Sequence, residues 1–375
     1  NVHQNAFMSP SLYGIEHSNR DFSLPYYWGK NQFNSSFPAA LACYMRDRGV
    51  PANYISLQAD LQFRNGPLSF NQVFGTDLPN NQLEFAFESV HEPFRALVQD
   101  NLAPIDLVIK NAATGVFIRP LEIKLTILPD STTMTLPLEQ QGSEIVVRSP
   151  TLKYMALSIA TNCAADKDRI REIFEFCREI IDWGNIVEAK AFLPRIITAL
   201  EIFFGEFAHR QAPLLMQPVW RTVGKTAALA DRCLDIFVWS DFALSRLFMN
   251  SSRINEAERI TRYQRSAMRF CKFIFEWTRH DRVHQAPIFD GLSYALQTDK
   301  EFAVAGLKSN AYMRCPRLSN LAIEKTEIKN IILGGGQLCL SPERLFDAIL
   351  YFSTDLFDEV IVEGDDGQAV IEVVE

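Results

Sequence analysis

Along the chain, short apolar runs with a period of two alternate with longer runs of helical period. Pro104-Ile105-Asp106-Leu107-Val108-Ile109-Lys110 and Leu121-Glu122-Ile123-Lys124-Leu125 read as strands, joined through turn residues at Asn111 to Gly115. Residues 54 to 63, Ser143 to Arg148, Pro213 to Trp220 and Leu234 to Trp239 read as further strands. Helical periods cover Ala39 to Arg48 and residues 82 to 99. In the second of these, Leu83, Ala86, Phe87, Val90, Phe94 and Leu97 share a face and Pro93 bends the axis. A helix starts at Ser149-Pro150, with Ser149 as its cap. Others cover Ala165 to Trp183, Pro194 to His209 and Arg253 to His284. The order predicts an α/β fold: a mixed central sheet flanked by helices, with core strands at about 103–148 and 213–240. A large helical elaboration occupies about 150–210 and 241–350. One domain spans 9–353, followed by an acidic segment, 354–375; residues 1–7, before Met8, are set aside.

Each of the first two strands carries an acid inside an apolar run. An unpartnered buried carboxylate costs several kcal/mol, so such acids usually have a role. Glu122 and Lys124 are two apart and share a face of an extended strand. If the strands form a hairpin, Asp106 lies opposite that pair. Two carboxylates and an ammonium then converge, which suits hydrolysis of a phosphodiester with Mg²⁺ held by Asp106 and Glu122. Lys124 would orient or help deprotonate the water and offset charge on the phosphate. Glu84 or Glu88, on the preceding helix, is the candidate for a further metal-binding acid. The bland alternative is a surface hairpin with an exposed ion pair.

Charge and composition narrow the class. The chain has 375 residues, 47% of them hydrophobic, and a net charge of −8. Eight of the 45 acids fall within 354–375, where no base occurs, so the remaining 37 balance the 37 bases. A neutral body with a local basic face is compatible with DNA contact. Arg259, Arg262, Arg265 and Arg269 recur at helical spacing and read as a phosphate-contacting stripe; a solvated face with internal ion pairs is the alternative. Arg20, Lys30, Asn31, Gln32, Asn34, Ser35 and Ser36 belong to a segment rich in amides, hydroxyls and cations, which hydrogen-bond bases and phosphates. Arg221 and Lys225 are added as DNA-contact candidates. Val223-Gly224-Lys225-Thr226 lacks the first glycine of a phosphate-binding loop, which argues against an NTPase. Seven cysteines without metal spacing point to a reduced, cytoplasmic protein. His280 and His284 lack the HExxH context of a zinc site. No apolar run of about 18 residues and no basic-then-apolar leader is seen, so neither a membrane span nor a signal peptide is expected.

The acid, the gap and Glu122-Ile123-Lys124 resemble the PD-(D/E)xK nuclease superfamily, although Ile105 separates Pro104 from Asp106. A closer resemblance rests on Tyr13-Gly14, Ser18-Asn19-Arg20-Asp21-Phe22 and Trp28-Gly29-Lys30-Asn31-Gln32-Phe33-Asn34-Ser35-Ser36-Phe37-Pro38. With Pro213 to Thr222 and Asp235 to Ser240, these are similar to the HindVP family of type II restriction endonucleases. That resemblance implies Mg²⁺-dependent cleavage of duplex DNA at a short palindromic site of the GRCGYC type. It also implies a prokaryotic host with a methyltransferase that protects the same site. A palindrome is two-fold symmetric, so a homodimer is expected on the DNA. Two alternatives remain: a less specific repair or recombination nuclease of the same superfamily, and a non-catalytic DNA-binding protein in which the acids and lysine form a buried ion network.

Overall fold

The computed structural model describes residues 15–19, most of 38–57, 63–128, 145–210, 212–223, 226–229, 237–242 with 245, 246 and 249, and 259–304. Twelve strands occur among them: β1 His17–Ser18, β2 Ala52–Leu57, β3 Phe63–Leu68, β4 Leu83–Ser89, β5 Ile105–Asn111, β6 Phe117–Leu121, β7 Ile123–Leu128, β8 Ile145–Arg148, β9 Pro213–Val223, β10 Thr226–Leu229, β11 Phe237–Ser240 and β12 Lys300–Val304. They build a four-stranded sheet in the order β1-β4-β5-β6 and a mixed six-stranded sheet in the order β10-β9-β11-β2-β3, with β7 also on β9. β12 and β8 form a separate antiparallel pair.

The strand on which the site reading rests is real but divided. β6 pairs with β5 as the expected hairpin, Leu107 facing Leu121. At Glu122 the ladder ends. The chain continues as β7 in the other sheet, parallel to β9, with Lys124 in register with Met216. Glu122 is thus the joint between the two sheets.

Residues 82–99 are not a helix. Leu83-Glu84-Phe85-Ala86-Phe87 alternates large apolar with smaller or polar residues, a period of two, and forms strand β4. Its Leu83, Phe85 and Phe87 are buried. A short 3₁₀ turn, Glu92–Ala96, follows and takes Pro93 in its opening positions, where no backbone donor is needed. The single strand expected over 54–63 is, where described, an antiparallel pair, with Leu57 facing Phe63.

The helices are α1 Phe70–Phe74, α2 Ser149–Asn162, α3 Lys167–Ile173, α4 Ile186–Phe207, α5 Arg262–Arg279 and α6 Ala286–Phe289; the described residues between 38 and 47 are helical as expected. α2 begins one residue earlier than a Ser149 cap would allow: Arg148 occupies the cap position and Pro150 the first turn. The Ser149 hydroxyl donates instead to Glu301 Oε1 at 2.8 Å. α4 starts well before Pro194, because the Asn185 side chain accepts from the Val187 and Glu188 N–H groups. α5 starts at Arg262, where Thr261 and Gln264 form a capping box, so Arg259 precedes the helix. Over Ala165 to Trp183 the chain makes α3 followed by the 3₁₀ turn Glu175–Glu179. α2, α4 and α5 bury their apolar faces together, with Phe203, Phe204, Phe242 and Phe270 in ring contact. No helix among the described residues is long and apolar enough to cross a membrane.

Candidate active site

Register brings three acids into one row. On β5, Asp106 is one residue beyond the Leu107–Leu121 pair, so it faces Glu122 as β6 ends. On its other side it lies between the pairs Leu107–Phe87 and Ile105–Ser89, which puts it opposite Glu88 of β4. Directly opposed residues share a face with Cβ atoms about 5 Å apart. Glu88, at the β4 end of this row, has φ +46, a left-handed conformation uncommon for a residue other than glycine. Glu84 stands two pleats away, paired with Lys110 Nζ at 3.4 Å. The backbone register thus sets Glu88 across from Asp106, whereas Glu84 lies across from Lys110.

Both central carboxylates are held by neighbours. Asp106 Oδ2 accepts the Ile123 N–H at 2.8 Å, which ties the acid across the joint between the sheets. Glu122 is 7% exposed, and its Oε1 accepts from the Thr151 hydroxyl at 2.8 Å. Among the described residues no three His, Cys, Asp or Glu side chains already stand as a metal cluster. The donor set is nonetheless all carboxylate oxygen, which fits a hard divalent cation and not a soft one. Lys124 is placed by its backbone on β7, two residues beyond Glu122.

Behind this row runs a polar seam that the sequence reading did not pick out. Thr151, Tyr154 and Ser158 recur at three and four residues on α2, so one helical face carries all three. Thr151 meets Glu122, the Tyr154 hydroxyl approaches the Pro120 carbonyl at 3.5 Å, and Ser158 donates to Asp241 Oδ2 at 2.6 Å. Asp241 follows β11 and is fully buried; its Oδ1 has no hydrogen-bond partner. The signal was present as three hydroxyls at helical spacing inside an apolar helix.

Burial pushes the Asp241 carboxyl from an ordinary 3.8 up to about 8; the Ser158 hydrogen bond opposes the shift, nearby Glu122 adds to it and Arg119 opposes it. Such a group keeps its proton in the native state where the unfolded chain has lost it. Its contribution to stability is full below about pH 4 and is lost as pH rises towards about pH 8. Over that window Asp241→Asn should gain on the wild type in unfolding free energy by several kcal/mol, at about 1.4 kcal/mol per pH unit. Urea titrations of both proteins across the window check this, and a difference independent of pH contradicts it.

The basic stripe is corrected. Arg265 is 0% and Arg269 3% exposed. Both guanidinium groups lie inside the protein against the Glu301 carboxylate, and Arg265 also donates to the carbonyls of Leu296, Thr298 and Lys300. Neither reaches the surface where a phosphate would bind. Arg259 and Arg262 are exposed, but only Arg262 is on the helix. Of the other DNA-contact candidates, Arg221 lies on β9, facing Ala228 of β10. Arg20, Lys30, Asn31, Gln32, Asn34, Ser35, Ser36 and Lys225 fall outside the described residues, as does the acidic segment 354–375. Asn19, beside them in sequence, is exposed and bonded to the β4 backbone: its amide donates to the Phe87 carbonyl and accepts the Phe87 N–H, next to Glu88. Val223 faces Thr226 and Thr226–Leu229 is strand β10, so among the described residues no helix follows to complete a phosphate-binding loop. His280 and His284 approach Glu276 and Asp100 respectively.

Comparison with known proteins agrees with the resemblance seen in the sequence. The family model described as HindVP restriction endonuclease matches residues 28–357. The chain is 37% identical over 353 residues to the type II restriction enzyme HgiDI of Herpetosiphon aurantiacus, covering 94% of this chain and 98% of that enzyme. It is 38% identical over 357 residues to the probable type II restriction enzyme HindVP of Haemophilus influenzae, covering 93% and 96%. No solved structure matches the chain.

Proposed function

Since the chain belongs to the HindVP restriction endonuclease family, we propose that it is a type II restriction endonuclease whose catalytic centre is the row of acids at the joint between its two sheets. In this reading it hydrolyses duplex DNA at a short palindrome, of the GRCGYC type by family resemblance, and uses Mg²⁺. The fold is then a PD-(D/E)xK core: β4, β5 and the divided strand β6–β7, followed by α2 and by β9 parallel to β7. The observation that supports the reading is the register of the pairs Leu107–Phe87, Ile105–Ser89 and Leu107–Leu121, which sets Glu88 of β4 and Glu122 at the end of β6 on either side of Asp106, with Lys124 two residues on.

Asp106 and Glu122 would hold the ion, with Glu88 as the third acid. When bound, a divalent ion polarises the scissile phosphate and lowers the pKa of a coordinated water. The chain's own residues do the rest. Lys124 orients the attacking water and offsets charge that builds on the phosphate oxygens. The Ile123 N–H fixes the Asp106 carboxylate. Each subunit has one such centre, so cutting both strands of a palindrome takes two subunits related by the DNA's two-fold axis. The biological partners in this reading are duplex DNA and, acting on the same site in a prokaryotic cytoplasm, a methyltransferase.

Removal of metal is the test. Excess chelator should abolish cutting of plasmid DNA and added Mg²⁺ should restore it. Ca²⁺ should support duplex binding without efficient cutting, because it fills an oxygen site with looser geometry than Mg²⁺. Cutting undiminished in chelator would rule the mechanism out.

A further inference from the structure

We infer that Thr151 is a positioning residue for cleavage: its hydroxyl fixes the Glu122 carboxylate in the orientation that presents it to the metal. The inference rests on the proposed role of Glu122.

Glu122 sits where the strand leaves one sheet for the other, outside the named strands. The terminal torsion of a glutamate is broad, so little in the side chain itself sets its carboxylate plane. The Thr151 donor, 2.8 Å from Oε1, supplies that constraint. Thr151 is well suited to it. It is 4% exposed and β-branched, so its χ1 is stiff. Later in a helix such a hydroxyl commonly returns to the carbonyl four residues back, as Thr161 does to Leu157 and Thr198 to Pro194. Thr151 is the third residue of α2, where no helical carbonyl lies four residues back. Its hydroxyl goes to the acid instead.

The helix end that carries Thr151 is itself anchored. Ser149 Oγ donates to Glu301 Oε1, Arg148 pairs with Asp299 at 2.8 Å and Lys153 pairs with Asp290 at 2.9 Å. Three contacts from residues on either side hold the donor still, so the geometry at Glu122 is set by α2 and the elements behind it.

The test compares Thr151→Val, which keeps the shape and removes the hydroxyl, with Thr151→Ser, which keeps the hydroxyl. The probe is a linear plasmid fragment carrying one cut site mapped with the wild type. Two quantities are measured: the Mg²⁺ concentration giving half-maximal single-turnover cleavage, and the Ca²⁺ concentration giving half-maximal retention of the fragment in a gel shift. Loss of an outer-shell hydrogen bond typically costs about 10- to 100-fold in metal affinity or activity. Thr151→Val should raise both half-saturation concentrations by about tenfold or more, and Thr151→Ser should restore both to within about twofold. Wild-type half-saturation in Thr151→Val overturns the inference, and so does a Thr151→Ser protein as impaired as Thr151→Val. If Thr151→Val does not fold, Thr151→Ala takes its place with the same outcomes. Glu122→Gln separates the two levels: if it cuts normally, the site reading fails. If it is inactive while Thr151→Val is normal, only the role of Thr151 fails.

Discussion

Glu122→Gln, Asp106→Asn and Lys124→Ala are each expected to slow single-turnover cleavage of plasmid DNA on the order of a thousandfold or more, since each removes a charge at the reacting phosphate. Folding should survive. Glutamine still offers an oxygen to the Thr151 hydroxyl, and asparagine still offers one to the Ile123 N–H, so both substitutions leave the hydrogen bonds across the sheet joint in place. Duplex binding in Ca²⁺ should weaken little for Lys124→Ala. Cleavage rates, thermal transitions and gel shifts on the same preparations separate chemistry from unfolding. A Lys124→Ala protein that cuts at close to the wild-type rate would remove this centre from consideration.

The second large effect is on stability. Glu301 is 0% exposed and accepts from Arg269, Arg265, Ser149 and Ser266. It is the residue at which the β12–β8 ladder shifts register, and it joins β12 to α5 and to the first residue of α2. Removing one partner of a buried ion group leaves the others charged and unpaired, at a cost of about 3–5 kcal/mol. Glu301→Ala leaves two buried guanidinium groups without their carboxylate, so its unfolding free energy from urea titration should fall by that order. Arg265→Ala should behave similarly, and should leave the salt dependence of DNA binding by the folded fraction unchanged. A loss of under about 1 kcal/mol in Glu301→Ala would mean that the network does not hold these elements together.

The sequence carried much of this, and its failures have physical causes. Strands at Asp106, at 145–148 and from 213 to 220 were legible because β-branched and apolar residues are concentrated there between turn residues, and β9 runs three residues further, to Val223. The acids and the lysine stood out as candidates because polar groups inside apolar runs are costly and therefore conspicuous. Residues 82–99 misled because Leu83, Ala86, Phe87 and Val90 satisfy a helical period as well as Leu83, Phe85 and Phe87 satisfy an extended one. Phe85 and Phe87 decide it only once β5 is there to pair with. That error hid the row of acids, since on a helix Glu88 would not face Asp106. The arginines misled in the opposite sense. Helical spacing showed that Arg262, Arg265 and Arg269 lie near one another, but not that Glu301, from a distant strand, turns two of them inward. Thr151 and Asp241 were invisible as site neighbours because each meets its partner across long sequence separations.

The most direct measurement is digestion of a long duplex of known sequence with the wild-type protein in Mg²⁺, followed by mapping of the fragment ends. The row of acids acting in a HindVP-family enzyme predicts discrete fragments whose two strands end within one short palindrome, and no cutting when Mg²⁺ is chelated. Intact DNA, or a smear without defined ends, would contradict it.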